Sequence, residues 1–402
     1  MLEICKWKYG ANSPVLLMID DLANVWIDTN GNGQVDPGED WGYAKNRPNS
    51  AYSFLTGALL AFYPEVKTTF FTPVGERSGL LECSPLTRIA APINADADSI
   101  AFFQSLQHQP RFEVAYHGTT HGKAGKDARQ FTQEWELFQT LGQALTTVNA
   151  GKEIYRSVFG QDPAGGKYCG YVSNSLSDAS IDGSGFTWWC RYWNRGVLDS
   201  PVSRIAGSDL NPLTAFDIKF FGVNQVIDIP STLSGALFMD LLVPRLNTGK
   251  GLVKWALTPY LMHQRYREID FLLRHQLVIS IQEHIAPSRD DGQRQQPNIY
   301  DDLPSLKRIF DYLQTQNVWY CTGSELAAYV RIRSLAQLCK TGPGRFRLVE
   351  SASQLPSVTV PEISLKVSRT TGEWIQTPGG ERVAIKNQIA TLPFQIGEYQ
   401  IM

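Results

Sequence analysis

Short, uninterrupted apolar runs alternate along this chain with helix-length segments, and that rhythm narrows the fold more than any other feature. The run from Val15 to Ile19 meets no polar residue until Asp20 and Asp21 close it. A strand that is apolar at successive positions is covered on both faces, as in parallel sheets flanked by helices. Two later runs end in the same way. Phe112–Tyr116 stops at His117, with His121 four residues on, and residues 277–281 lead through Gln282 and Glu283 to His284. If these strands lie parallel in one sheet, an Asp pair, a His pair and a single His arrive at one rim. That rim is the C-terminal strand edge, where chemistry collects in barrels and open α/β sheets.

The alternation continues along the chain. Helical periodicity marks residues 50–63, 98–109, 262–275, 301–314 and 324–339, with Ser324 as a candidate cap, and residues 127–159 read as one long helix or two. Strand-like runs occupy residues 67–72, 167–173, 186–191, 225–229 and 318–321, while residues 73–94 are rich in Pro and Gly and read as loop. The expectation is an α/β fold, a distorted (β/α) barrel of seven or eight parallel strands. The rhythm stops at residues 340–344, and beyond it only short β-rich runs appear. Residues 1–340 are therefore read as the barrel, and residues 341–402 as a small antiparallel β appendage.

Composition excludes some functions. The net charge is −2 with Lys and Arg scattered, so the basic stripe of a nucleic-acid binder is missing. No apolar run approaches the ~20 residues of a membrane span. The first residues lack the apolar core of a signal peptide, which makes a cytoplasmic location the default expectation and leaves an extracellular one open. The six cysteines are widely spaced without a CxxC, and are expected to be free thiols. No G-x-S-x-G, P-loop or dinucleotide glycine pattern occurs. Trp188, Trp189, Tyr192 and Trp193 crowd six positions, too many rings for one side of a core. Some of them, with Tyr116, are expected to line a substrate cleft. Nothing in the sequence fixes an oligomeric state.

Residues 28–39, DTNGNGQVDPGE, fill the calcium-loop pattern D-x-[DN]-x-[DN]-G-x5-E. Asp28, Asn30, Asn32 and Asp36 supply side-chain oxygens, Gln34 falls where a backbone carbonyl binds, Gly33 makes the tight turn, and Glu39 closes the loop with two oxygens. The flanks are not two long amphipathic helices, so the expectation is a Ca2+-stapled loop inserted in the barrel. Leaving the first strand near the Asp pair, it would form a wall of the cleft, bracketed by Trp26 and Trp41.

Asp21, His117 and His121 form a three-ligand set suited to Zn2+ or another divalent transition metal, with one position left open for water. Such a metal lowers the pKa of its water and polarises a carbonyl. Asp20 is then placed as general base and His284 as the group that protonates the leaving atom.

The order DD, HxxxH, and then a strand ending in a single His resembles the polysaccharide deacetylase family, carbohydrate esterase family 4, over residues 12–335. The resemblance implies a distorted (β/α) barrel, Asp20 as catalytic base, Asp21, His117 and His121 as metal ligands, and His284 as catalytic acid. The implied reaction is metal-assisted hydrolysis of an N- or O-acetyl group on a carbohydrate. The sequence departs from the family pattern in three places. Met18-Ile19 precedes the Asp pair where the family has Thr-Phe, residues 167–171 (KYCGY) lack the Arg that orients the base, and Ile285 follows His284 where Asp is usual. Two other classes are weighed: a barrel that only holds a glycan through Trp188, Trp189 and Trp193, and a metal-dependent amidohydrolase acting on non-sugar C–N bonds.

Overall fold

The computed structural model describes residues 2–42, 48–193, 211–243, 247–350, 362–367 and 372–402. The apolar run is the central strand. β1 (Ser13–Asp20) is buried at all eight positions. The other strands of its sheet are β2 (Thr68–Thr72), β3 (Phe112–Tyr116), β4 (Gly165–Lys167), β5 (Trp188–Cys190), β6 (Lys219–Phe221), β7 (Val226–Asp228), β8 (Leu233–Ser234), β9 (Ile279–His284) and β10 (Val318–Tyr320). They run in the order β6-β7-β5-β4-β3-β2-β1-β9-β8, with β10 beside the first half of β1. Every pairing is parallel except β6 on β7.

The stretch 226–234 nearly closes this sheet into a barrel. Its first part hydrogen-bonds to the β5 side, through Ile227 N–H to Thr187 O, Ile229 N–H to Trp189 O and Ser231 N–H to Tyr192 O. Its second part turns to β9, through Thr232 N–H to Ser280 O and Gly235 N–H to Gln282 O. Counting β7 and β8 as one staggered strand, the circuit β1, β2, β3, β4, β5, β7–β8 and β9 has seven members and β10 adds an eighth. This is the expected distorted (β/α) barrel.

Strand alternation sorts the side chains into two layers. Leu16 and Met18 of β1 pack inward with Phe71, Ala115, Trp188, Cys190 and Ile227. Val15, Leu17 and Ile19 pack outward, in one cluster with residues of the surrounding helices. The helices in this outer cluster are α1 (Ala97–Gln107), α2 (Leu141–Phe159), α4 (Thr258–Arg274) and α5 (Leu303–Leu313), whereas α6 (Gly323–Leu335) packs Leu326, Ala327, Tyr329 and Val330 with the inward cluster and α3 (Gly249–Ala256) joins neither. Asp96 caps α1 by accepting Ser99 N–H, and Thr140 caps α2 by accepting Gln143 N–H.

Several local expectations need correction. Only Leu141–Phe159 of the 127–159 segment is one continuous helix. Ahead of it the chain doubles back, pairing Gly122–Lys123 with Thr132–Gln133 and burying the Glu134 carboxylate. The 50–63 helix begins as expected but widens after Phe54, where Ala61 N–H reaches Thr56 O. Thr56 Oγ1 donates back to the Tyr52 and Ser53 carbonyls, competing for the acceptors of the regular helix. Ser324 does not cap α6. Thr322 does, accepting Glu325 N–H, while Ser324 Oγ turns to the partly buried Glu113. The 73–94 segment contains a strand, Thr87–Ala91, paired antiparallel with Asn24–Asp28.

The C-terminal β region is antiparallel, as expected. Ala336–Gly342, Arg345–Glu350, Gly397–Ile401, Trp374–Gln376 and Arg382–Ala384 form one sheet. Glu362–Val367 lies between Ile389–Pro393 and the N-terminal Leu2–Ile4 in another, and the flanking residues 351–361 and 368–371 fall outside the described residues. Phe346, Leu348, Ile363, Leu365 and Tyr399 form its core, joined to the barrel through Ile332 of α6.

Candidate active site

Register places the chemistry on one rim. His284 is the lateral neighbour of Asp20 across the β9–β1 pair. Tyr116 is level with Gly166 across β3–β4, so His117 and Lys167 follow side by side. Asp20, His117, Lys167, Gln282 and His284 all occupy the inward-facing parity of their strands.

The adjacent carboxylates Asp20 and Asp21 are separated by backbone geometry. Asp21 has a φ of 67°, in the left-handed region that Asp tolerates better than most residues. The turn sends the two side chains to different partners. Asp20, 2% exposed, receives Lys167 Nζ at 2.8 and 2.7 Å. Asp21, also 2% exposed, receives Arg77 Nη2 at 3.0 Å on Oδ2. Like charges side by side are thereby each neutralised by a separate cation.

Lys167 organises this rim. Its ammonium also donates to Gln282 Oε1 and lies over the rings of Phe71 and Tyr171. Its backbone carbonyl accepts from His117 Nδ1 at 3.0 Å. That bond turns His117 Nε2 toward the Asp pair, 3.9 Å from Asp20 and 4.0 Å from Asp21. The segment in which the resemblance implied an arginine thus supplies a lysine beside Asp20.

His121 also has a left-handed backbone, with φ 72°. The buried Glu134 carboxylate holds its loop by accepting N–H bonds from Thr119, Thr120 and His121 at 2.9, 2.7 and 3.0 Å. Gly118, φ 87°, lets the loop pass. A Cβ there would stand 2.9 Å from Glu134 and 3.1 Å from Cys169 Sγ. The histidines sit at a strand end and on this loop, not on a helical turn.

The donor set fits a transition metal. Asp21 Oδ1 is buried without a hydrogen-bond partner, 3.4 Å from His121 Nε2 and 4.0 Å from His117 Nε2. Donors about 2.0–2.2 Å from a tetrahedral ion lie at nearly this mutual spacing. Burial lowers the pKa of both imidazoles, keeping them neutral as ligands must be. Burial would raise the Asp21 carboxyl, but the Arg77 guanidinium, through its charge and its hydrogen bond, outweighs it and holds the group far below the usual carboxylate range. Cys169 Sγ also lies within 4.8 Å of donor atoms on both histidines, a neighbour the sequence did not single out. It donates to His117 O at 3.1 Å, and burial pushes its thiol pKa well up. A thiol held in this way is a poorer ligand than the free oxygen of Asp21.

A cavity of about 580 Å³ opens beside these groups, lined by Asp20, Tyr171, Trp193, Gln282, His284 and Gln295 among others. His284 Nδ1 donates to Pro297 O at 2.8 Å, which leaves Nε2 beside the Gln295 amide at 3.0 Å. Burial lowers the His284 pKa, against the pull of Asp20 and Asp21. The backbone carbonyl of Pro297 orients this imidazole.

Three expected substrate residues are not in the cavity. Trp189 and Tyr116 face the outer helical layer, fully buried, where Tyr116 bonds Thr119. Trp188 faces inward but forms the barrel floor, its indole N–H on Ser324. Strand parity puts neighbours such as Trp188 and Trp189 on opposite faces, and neither face at that level reaches the rim. Trp193, three residues beyond the end of β5, does line the cavity and packs 5.7 Å from Tyr171.

The 28–39 loop folds on itself. Asp28 accepts the N–H groups of Gly31, Asn32 and Gly33, and Asn32 Oδ1 accepts Gln34 N–H. Asn30 and Asn32 amides both reach Asp36 Oδ2, at 2.6 and 2.7 Å. Glu39 turns back to Thr29 N–H and Asp36 N–H. The loop borders the rim: Ser288 Oγ donates to Gly38 O and its carbonyl accepts the Trp41 indole N–H. Arg77, the partner of Asp21, lies over the Trp41 ring at 4.6 Å.

No family model and no curated protein matches the chain. Solved structures do match, among them proteins described as polysaccharide deacetylases. One classed so from Mycobacterium smegmatis is 16% identical, with a TM-score of 0.47, covering 85% of this chain and 97% of that one. A family 4 acetyl xylan esterase from Clostridium thermocellum, in complex with a cobalt ion, is 10% identical, with a TM-score of 0.35 and coverage of 78% and 90%. A CE4-family pseudoenzyme from Bacillus anthracis is 9% identical, with a TM-score of 0.35 and coverage of 79% and 66%. Neighbours at this distance include both an esterase and a pseudoenzyme, and they assign no activity to this chain.

Proposed function

We propose that this chain is a metal-dependent hydrolase that removes N- or O-acetyl groups from a carbohydrate. The observation that carries the reading is the separation of roles at the rim. Asp21 Oδ1 lies unpartnered beside the Nε2 atoms of His121 and His117, while Asp20, at a similar distance from His117, has both oxygens engaged by Lys167. When bound, Zn2+ or a related ion would polarise the acyl carbonyl and acidify water. Asp20 accepts the proton of the attacking water. Lys167, itself held by Gln282, keeps its carboxylate in place. His284, oriented by Pro297, acts in its imidazolium form, giving the Nε2 proton to the departing sugar atom and returning to the neutral imidazole that keeps its Nδ1 proton on Pro297 O. Trp193 and Tyr171 give the cavity the aromatic surface on which a sugar ring packs.

Metal analysis beside an acetate-release assay on acetylated glycans tests this. The purified chain should hold close to one transition-metal ion, and Asp21→Asn should lower metal affinity at least about tenfold. Metal without acetate release would move the reading to a non-sugar C–N substrate or to glycan holding alone.

The 28–39 loop is proposed to bind Ca2+, since Asp28, Asn30, Asn32, Asp36 and Glu39 bring only oxygen donors to one turn and Gln34 offers its carbonyl. Calcium at a hundredfold excess over Kd should stabilise the protein by about 2.7 kcal/mol, and Glu39→Ala should remove that gain. A melting temperature that rises equally with calcium in wild type and variant would count against the loop.

A further inference from the structure

We propose that α3 and the start of α4 form a docking surface for an anionic lipid bilayer. The observation is a helix whose apolar stripe lies in water. A helix on a globular protein normally turns that stripe to the core. In α3 Leu252, Val253 and Trp255 are 52%, 60% and 61% exposed, and the part-exposed Lys254 pairs with Asp240 at 2.6 Å. No residue of α3 contributes an apolar side chain to the core. The exposed apolar surface continues through Leu257 and Tyr260 into α4, with Val243 just upstream.

Charge selects the occupant. From Leu241 to Arg267 the sequence carries five Lys and Arg (245, 250, 254, 265, 267) and no Asp or Glu, in a chain whose net charge is −2. Asp240 and Glu268, at the two ends, engage Lys254 and Arg265. The segment as a whole keeps a cationic excess. A second copy of the chain would bring the same cations face to face. An anionic bilayer supplies the opposite charge and an apolar layer for Trp, Leu and Val together, which is how interfacial helices bind. Trp255 and Tyr260 are side chains suited to the headgroup boundary. Docking of this kind is peripheral, in keeping with the absence, among the described residues, of a helix long and apolar enough to cross a membrane. The surface adjoins the candidate active site, because Met239, Asp240 and Arg265 line the same cavity as Asp20 and His284. Docking would therefore hold the cavity mouth near the bilayer, whichever reaction occurs there.

The test is flotation of the full-length protein with vesicles of equal parts phosphatidylglycerol and phosphatidylcholine, beside vesicles of phosphatidylcholine alone. Wild type should float with the anionic vesicles and be released by high salt. The Val253→Ser/Trp255→Ser variant should partition at least about tenfold less, with an unchanged melting temperature because both side chains are already exposed. Wild type that stays behind, equal flotation of the variant, or equal binding to the neutral vesicles would each overturn the proposal. So would a concentration-dependent dimer in sedimentation that the variant splits, which would assign the surface to a second copy.

Discussion

Lys167→Met is expected to cost about 3–5 kcal/mol of stability, the range found when one partner of a buried ion pair is removed. Lys167 is fully buried, and its ammonium is within 2.8 Å of both oxygens of a carboxylate that is itself almost inaccessible. Met fills much the same volume, so packing changes little and the loss reports the uncompensated charge. Chemical denaturation of the metal-free protein measures it. Two further variants separate the ion pair from other effects. Lys167→Arg should retain most of the stability, since a cation remains. The double variant Asp20→Asn/Lys167→Met should be more stable than Lys167→Met alone by roughly 2 kcal/mol, because the stranded charge is then gone. A loss below about 1 kcal/mol for Lys167→Met, with no recovery in the double variant, would mean that Asp20 finds other compensation and that Lys167 is not its essential partner. Acetate release should fall with Lys167→Met and return in part with Lys167→Arg.

The same lysine shows how far the sequence can be read. Its segment stood out as lacking an arginine, yet residue type alone could not say that a lysine at the end of a three-residue strand reaches back to the first strand. That depends on register, which brings residues 147 positions apart into contact. That Asp20, Asp21, His117 and His284 stand at the rim was legible because they close apolar strand runs, which burial imposes on composition, whereas His121 came in only through its spacing from His117 and reaches the rim on a loop. Glu134 and Arg77 were not legible, since each stands in a polar, irregular stretch and acquires its role only from the loops that fold over it. Trp188 and Trp189 were misread for a related reason. Local ring density says that large apolar surfaces must be covered, but not whether protein or ligand covers them. The barrel itself followed from alternation, whereas its closure by residues 226–234 did not. One short stretch serves two edges there, and no periodicity signals that.

Asp20→Asn is expected to lower acetate release by about a hundredfold to ten-thousandfold while leaving metal content unchanged, the range attributed to a positioned general base. The prediction is sharp because Asp21 is the control. The two residues are adjacent and equally buried, and both pair with a cation. Chemistry that depended only on negative charge at the rim would respond alike to either substitution. The left-handed turn at Asp21 divides them instead. Asp21 points its unpartnered Oδ1 at the two histidines, and Asp20 points at Lys167 and at the cavity that also holds His284. Asp21→Asn should accordingly lose metal and activity together, whereas Asp20→Asn should lose activity alone. The amide is isosteric and its oxygen can still accept from Lys167, but the ammonium loses its counter-charge, so folding of the variant is checked by chemical denaturation on the same preparation. Metal analysis and turnover on the same preparations decide the matter. Turnover within a few-fold of wild type in metal-replete Asp20→Asn would remove Asp20 as the base and pass the proton to another group on the rim. His284, its lateral neighbour on β9, would then be the first to substitute.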